Sequence, residues 1–92
     1  MIDESTARLN FAENVKYLCK IKKITMQDLE HNIGITKGYV SRISEKKDIG
    51  LGKAYMISKL LEVDINDLIE KDMWREARIK ELEAELAALR QQ

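Results

Sequence analysis

The 92-residue chain has no proline, four glycines and a single cysteine. It also has no Asn-Gly or Asp-Gly pair and no alternating apolar–polar run, so nothing in it marks a hairpin or a strand. The fold class this implies is all-α. One cysteine, Cys19, excludes an internal disulfide and fits a reducing compartment. No histidine lies within its sequence reach, so it reads as a structural thiol rather than a nucleophile. The single histidine, His31, has no Cys/His cluster around it at ligand spacing, which leaves no metal site. There is no Gly-rich phosphate loop and no Ser-His-Asp set, so the expectation is a non-enzyme without a cofactor. No apolar run is long enough to cross a bilayer. The opening MIDESTARLN is acidic and lacks the apolar core of a signal peptide. A cytoplasmic location away from membranes is expected.

Net charge is also absent: 16 basic and 16 acidic side chains cancel. Their distribution is uneven. Residues 16–59 hold ten Lys/Arg against four Asp/Glu, whereas residues 60–92 hold five against nine. A basic binding face with an acidic back end would give this pattern.

What is present centres on TMQDLEHNIGITKGYVSRISE, residues 25–45. Thr25 followed by Asp28 is an acidic variant of the capping box. Met26, Leu29 and Ile33 then recur on one helical face. Gly34 supplies the positive φ that ends a helix, and Ile35 plugs the corner. Thr36 is placed to cap a second helix, with Val40 and Ile43 inward and Lys37, Gly38, Ser41 and Arg42 outward. Two short helices around a glycine turn in about twenty residues have the spacing of a helix-turn-helix.

The flanks extend the pattern. Asn10 with Glu13 reads as the cap of a first helix running to about Lys22, with Phe11, Val15 and Leu18 buried and residues 1–9 a polar arm. Gly50 is placed to cap a fourth helix, Leu51 to Glu62, burying some set of Leu51, Ala54, Tyr55, Ile57, Ser58 and Leu61. Asp64 caps a fifth, with Ile65, Leu68 and Ile69 inward. This gives a domain over residues 10–70. Residues 71–92 contain no Gly and are good helix formers throughout. Ile79, Leu82, Leu86 and Leu89 follow the 3-4-3 spacing of a coiled-coil seam over about two heptads, with Trp74 preceding it. A lone helix of this length is marginal in water, so it either folds back on its own domain or pairs with a second copy. Pairing is the favoured reading.

The segments Thr25, Leu29, Gly34-Ile35-Thr36, Tyr39-Val40-Ser41-Arg42-Ile43 and Lys59 to Leu68 resemble the lambda-repressor-like (Xre) helix-turn-helix family, over about Phe11 to Leu68. The resemblance implies a five-helix DNA-binding domain, here with a C-terminal helical extension. It depart from the family at Met26, where the family has a phosphate-binding Gln, and at Ser44-Glu45-Lys46, where the loop looks one residue short. Glu30 stands where the family has Ala at the helix crossing. Its side chain is expected to turn out to solvent and widen that crossing.

On this reading Lys37, Gly38, Ser41 and Arg42 read bases, and an Arg fork onto guanine O6 and N7 is worth about 1–3 kcal/mol of discrimination. Gln27, Thr36, Tyr39, Lys46, Lys47, Lys53, Lys22 and Lys23 are the backbone candidates. Trp74, Ile79, Leu82, Leu86 and Leu89 are the dimerisation set. The implied partners are an operator in double-stranded DNA and a second copy of the chain. The alternative is a protein-interaction module, of antitoxin or inhibitor type, whose C-terminal helix engages a partner protein.

Overall fold

A computed structural model describes residues 2–43 and 49–91, without the side chain of Ser41. Six helices occur among these residues: α1 (Glu4–Lys22), α2 (Met26–Ile33), α3 (Tyr39–Ile43), α4 (Leu51–Leu61), α5 (Ile65–Glu70) and α6 (Met73–Arg90). None of the described helices is long and apolar enough to cross a membrane.

Caps written into the sequence set most of the boundaries. Thr25 Oγ1 accepts from the Asp28 N–H at 3.0 Å and starts α2. Asp64 Oδ1 accepts from the Asn66 N–H at 2.8 Å and starts α5. Gly50 precedes α4 with extended backbone and no side-chain bond. At its far end α2 stops on Gly34, at φ 76°. The Gly34 N–H donates to the His31 carbonyl and the Ile35 N–H to the Glu30 carbonyl, the paired bonds of a Schellman motif. Two further helices stop the same way without glycine. Lys23 (φ 60°) ends α1 and Glu62 (φ 58°) ends α4. In each case the next residue, Ile24 or Val63, is apolar and packs against the core.

The first helix begins seven residues before Phe11–Lys22, the span the Asn10 cap reading gave. Asp3 is the cap, accepting from the Thr6 N–H at 2.7 Å, and Arg8 pairs with Glu4 one turn on at 3.0 Å. Asn10 cannot cap, because its side chain is committed across the core. Its amide donates to the Ile69 carbonyl at 3.0 Å and its oxygen accepts from Trp74 Nε1 at 3.1 Å.

The core joins Phe11, Ala12, Val15, Leu18 and Cys19 of α1 to Leu29, Ile35, Val40, Ile43, Ala54, Ile57, Leu61 and Leu68. Along α4 the outcome is narrower than the sequence pattern: Ala54, Ile57, Ser58 and Leu61 are buried, while Leu51 is 81% and Tyr55 53% exposed. Residues three or four apart share one helical face, and the buried four form that face. Leu51 and Tyr55 lie off it.

One turn beyond Asn10 on α1, Asn14 is fully buried. Its amide donates to the Leu68 and Lys71 carbonyls at 2.9 and 2.6 Å, and its oxygen accepts from the Trp74 N–H at 3.1 Å. The two asparagines thus satisfy carbonyls at and just past the end of α5 and the second N–H of α6, groups that helix ends otherwise leave unpaired. They hold the start of α6 against α1. Met73 and Trp74 are half-buried there, and farther along Lys20 Nζ meets Glu81 Oε1 at 2.9 Å. Trp74, placed in the dimerisation set by its position, is a joint between α6 and α1 within the chain. Its indole N–H has an internal acceptor.

Candidate nucleic-acid interface

The turn between α2 and α3 is built differently from the sequence reading. Thr36 does not cap α3. Gly38 takes φ 81°, the Tyr39 N–H donates to the Thr36 carbonyl at 3.1 Å, and the helix starts at Tyr39. Lys37 and Gly38 therefore lie in the turn ahead of the helix and not in its first helical turn. Without a side chain, Gly38 offers no cap of its own.

The acceptor comes from α2. Glu30 is only 4% exposed. Its Oε1 accepts from the Gly38 N–H at 3.2 Å and its Oε2 from the Val40 N–H at 3.4 Å. The expectation that Glu30 would turn out to solvent is thus overturned. A buried carboxylate is costly unless hydrogen-bonded, and the free N–H groups at the start of a helix carry partial positive charge. The side chain turns inward because its partners are there. Its negative charge has a secondary effect on Cys19, whose thiol is pushed above its usual range first by burial and then by Glu30. Both effects disfavour the thiolate, the form that reacts.

Outside this turn the candidate side chains form small groups. Arg42 is exposed, and its guanidinium donates to Thr36 Oγ1 at 3.4 Å, a long bond that leaves most of its fork free. Tyr39 is half-buried, with Lys53 Nζ from α4 4.8 Å from its ring centroid. That places an ammonium from the start of α4 beside the start of α3. Gln27, on the first turn of α2, and Lys37 line one shallow depression together with His31 and Ile35. The structure thus brings the candidates together in two pairs, Tyr39 with Lys53 and Gln27 with Lys37. Lys22 and Lys23 are exposed at the end of α1, and among the described residues no side-chain contact ties them to the other candidates. Lys46 and Lys47, and the expected short loop at Ser44-Glu45-Lys46, lie outside the described residues, as does the Ser41 side chain.

The arrangement offers a short helix with an exposed guanidinium, flanked by cations and hydroxyls. Its apolar residues Val40 and Ile43 anchor it in the core. Such a helix can be laid in a groove about 12 Å wide while side chains around it meet phosphates. Sequence reasoning missed Glu30, Asn10 and Asn14 as determinants of this geometry. For the asparagines a signal existed: two amides one turn apart on an otherwise apolar face of α1 have to find partners there.

Comparison with known proteins agrees with this geometry. The family model for the Cro/C1-type HTH DNA-binding domain matches residues 14–73. Searches of curated proteins and of solved structures returned no match.

Proposed function

Because the chain belongs to the Cro/C1-type HTH DNA-binding domain family, we propose that it is a sequence-specific transcription regulator. It acts as a repressor, binding a palindromic operator as a homodimer, and it carries no enzymatic activity. The observation that carries sequence-specific reading is the exposed Arg42 on core-anchored α3. A planar fork at that place suits a guanine edge, and Lys53 and Lys37 beside it suit phosphates. The observation that favours a dimer is the row Ile79, Leu82, Leu86 and Leu89, each between 47 and 64% exposed along one helix. An apolar stripe at this spacing is the seam of a helix pair. Two bound copies read half-sites about one helical turn apart, and a promoter overlapped by such a site is occluded.

The test is selection of duplexes from a randomised pool, followed by fluorescence anisotropy of the selected duplex and a scrambled one over a salt series. The expected outcome is a two-fold symmetric consensus, selective binding, and affinity that falls steeply with salt as phosphate counterions are released. Failure to enrich any sequence, with no binding to either duplex at low salt, would refute the regulator reading.

A further inference from the structure

We infer that Glu30 is the positioning residue of the recognition helix: its buried carboxylate serves as the N-terminal cap that α3 lacks and so sets where Arg42 points. The inference rests on the DNA-reading role proposed for α3. Three observations support it.

The first is the absence of any local cap. Gly38, immediately before Tyr39, has no side chain and sits at φ 81°, and the Thr36 hydroxyl meets the Arg42 guanidinium at 3.4 Å. The second is that Glu30 supplies what is missing. Its two carboxylate oxygens accept from the Gly38 and Val40 N–H groups, one oxygen each, while the N–H between them, that of Tyr39, donates to Thr36. Bonds from backbone N–H to a carboxylate are charge-assisted, and the partial positive charge at a helix start adds to them.

The third observation concerns what one residue ties together. The Glu30 backbone carbonyl accepts from the Ile35 N–H at 2.9 Å, closing the end of α2. The same residue's side chain closes the start of α3. The turn from α2 to α3 is therefore fastened at both ends by Glu30, and the angle between the two helices is set by a side chain of fixed length. Arg42 lies within the first five residues of α3, so a rotation of that helix carries its guanidinium directly. No part of this arrangement requires Glu30 to touch DNA.

The experiment compares the wild-type protein with Glu30→Gln and Glu30→Ala. Amide exchange of Gly38 and Val40 is followed by NMR in the free protein. Anisotropy is measured with the selected duplex and the scrambled duplex over a salt series. In Glu30→Ala the Gly38 and Val40 amides should exchange at least about tenfold faster than in wild type, because their acceptor is gone. Affinity for the selected duplex should fall about tenfold or more. Scrambled-duplex affinity and the salt slope should stay near wild type, because the cations that meet phosphates are untouched. Glu30→Gln keeps one acceptor oxygen and should fall between the two. If Glu30→Gln behaves as Glu30→Ala does in both exchange and selectivity, the paired, charged carboxylate is what holds the turn, and the positioning role stands. Unchanged Gly38 and Val40 exchange in both variants would overturn it, as would wild-type selectivity in Glu30→Ala. Should Glu30→Ala not fold, Glu30→Gln decides by the same readouts: faster exchange with reduced selectivity supports the inference, and no change in either overturns it. A wild-type protein that does not discriminate the two duplexes refutes the regulator reading instead, and the amide exchange still decides whether Glu30 caps α3.

Discussion

At the scale of single residues, the exposed Arg42 on α3 and the buried Asn14 on α1 call for opposite tests. Arg42 is exposed and weakly tethered to Thr36, so its removal should leave stability almost unchanged. Arg42→Ala is expected to cost about 1–3 kcal/mol of binding to the selected duplex and to relax preference at one base pair per half-site. Anisotropy against duplexes mutated at each position checks this; an unchanged base preference would remove Arg42 from the readout. Asn14 is the opposite case. It is fully buried with three hydrogen bonds, two to carbonyls and one from an N–H. Asn14→Ala strands those three backbone groups, and each buried group left without a partner costs about 1–3 kcal/mol. Urea unfolding should show a loss of at least that size, and a loss below about 0.5 kcal/mol would mean that water or relaxation re-satisfies the groups.

At the scale of the helices, the ends carry more information than the middles. Gly34 ends α2 at positive φ without strain, whereas Glu62 ends α4 at φ 58° with a side chain attached. The left-handed conformation costs an L-residue roughly 1–2 kcal/mol, part of which glycine gives back as backbone entropy. Glu62→Gly should accordingly raise stability by about 0.5–1 kcal/mol, measured as an increased urea midpoint at constant slope. The contact of α6 with α1 has a pH-sensitive outer fastening. Hydrogen bonds from Lys20 and then Arg78 hold the Glu81 carboxyl below its usual range. Its pKa is lower in the folded chain than in the unfolded one. The stabilisation is therefore complete above the ordinary glutamate range and is lost as pH falls through the lower folded value. Acidification should lower the protection factors of amides in the middle of α6, taken against the intrinsic exchange rate at each pH, while Trp74, held by neutral asparagine bonds, stays in place. Trp74 fluorescence that shifted together with α6 exchange would contradict this division.

At the scale of the whole molecule, the globular part and the tail behave as two regions. The Cα radius of gyration is 14.2 Å and the longest extent 47 Å, against about 12 Å expected for a compact chain of this length. The last turns of α6 carry the exposed Leu82, Leu86 and Leu89, whereas its first turns are bonded to α1. Removing residues 82–92 leaves the Trp74 joint and the Lys20–Glu81 pair intact and takes away most of the apolar row. On the dimer reading this truncation should sediment as a monomer with native helical packing. It should bind the two-half-site duplex on the order of 100-fold more weakly, because two linked contacts become one. A truncated chain that stays dimeric would place the interface elsewhere, with the exposed Leu51, Tyr55, Met56 and Leu60 of α4 the next surface to substitute. The uneven charge also belongs to this scale. Neutral overall, the chain keeps its basic excess in the residues that contain α2, α3 and the start of α4, so its field is directional although its sum is zero.

The sequence by itself determined the all-α class, the glycine-turn spacing, the caps at Thr25, Gly34 and Asp64, and the inward residues Leu29, Val40, Ile43, Ile57, Leu61 and Leu68. Each of these depends on neighbours within about four positions, through helical periodicity or a local backbone bond, so it is written in the order of residues. Tertiary structure alone decided the rest. Asn10 looked like a cap, and Asn14 carried no reading, until Ile69, Leu68, Lys71 and Trp74, 54 to 64 positions away, supplied their partners. Trp74 became a joint between α6 and α1 for the same reason. Leu51 and Tyr55 faced outward because α4 has only one covered side. Glu30 turned inward because the N–H groups of Gly38 and Val40 lie across the turn. Composition and periodicity say whether a charged residue can be buried without loss only when they also say what it will meet. For Glu30 that partner exists only after α2 and α3 have packed.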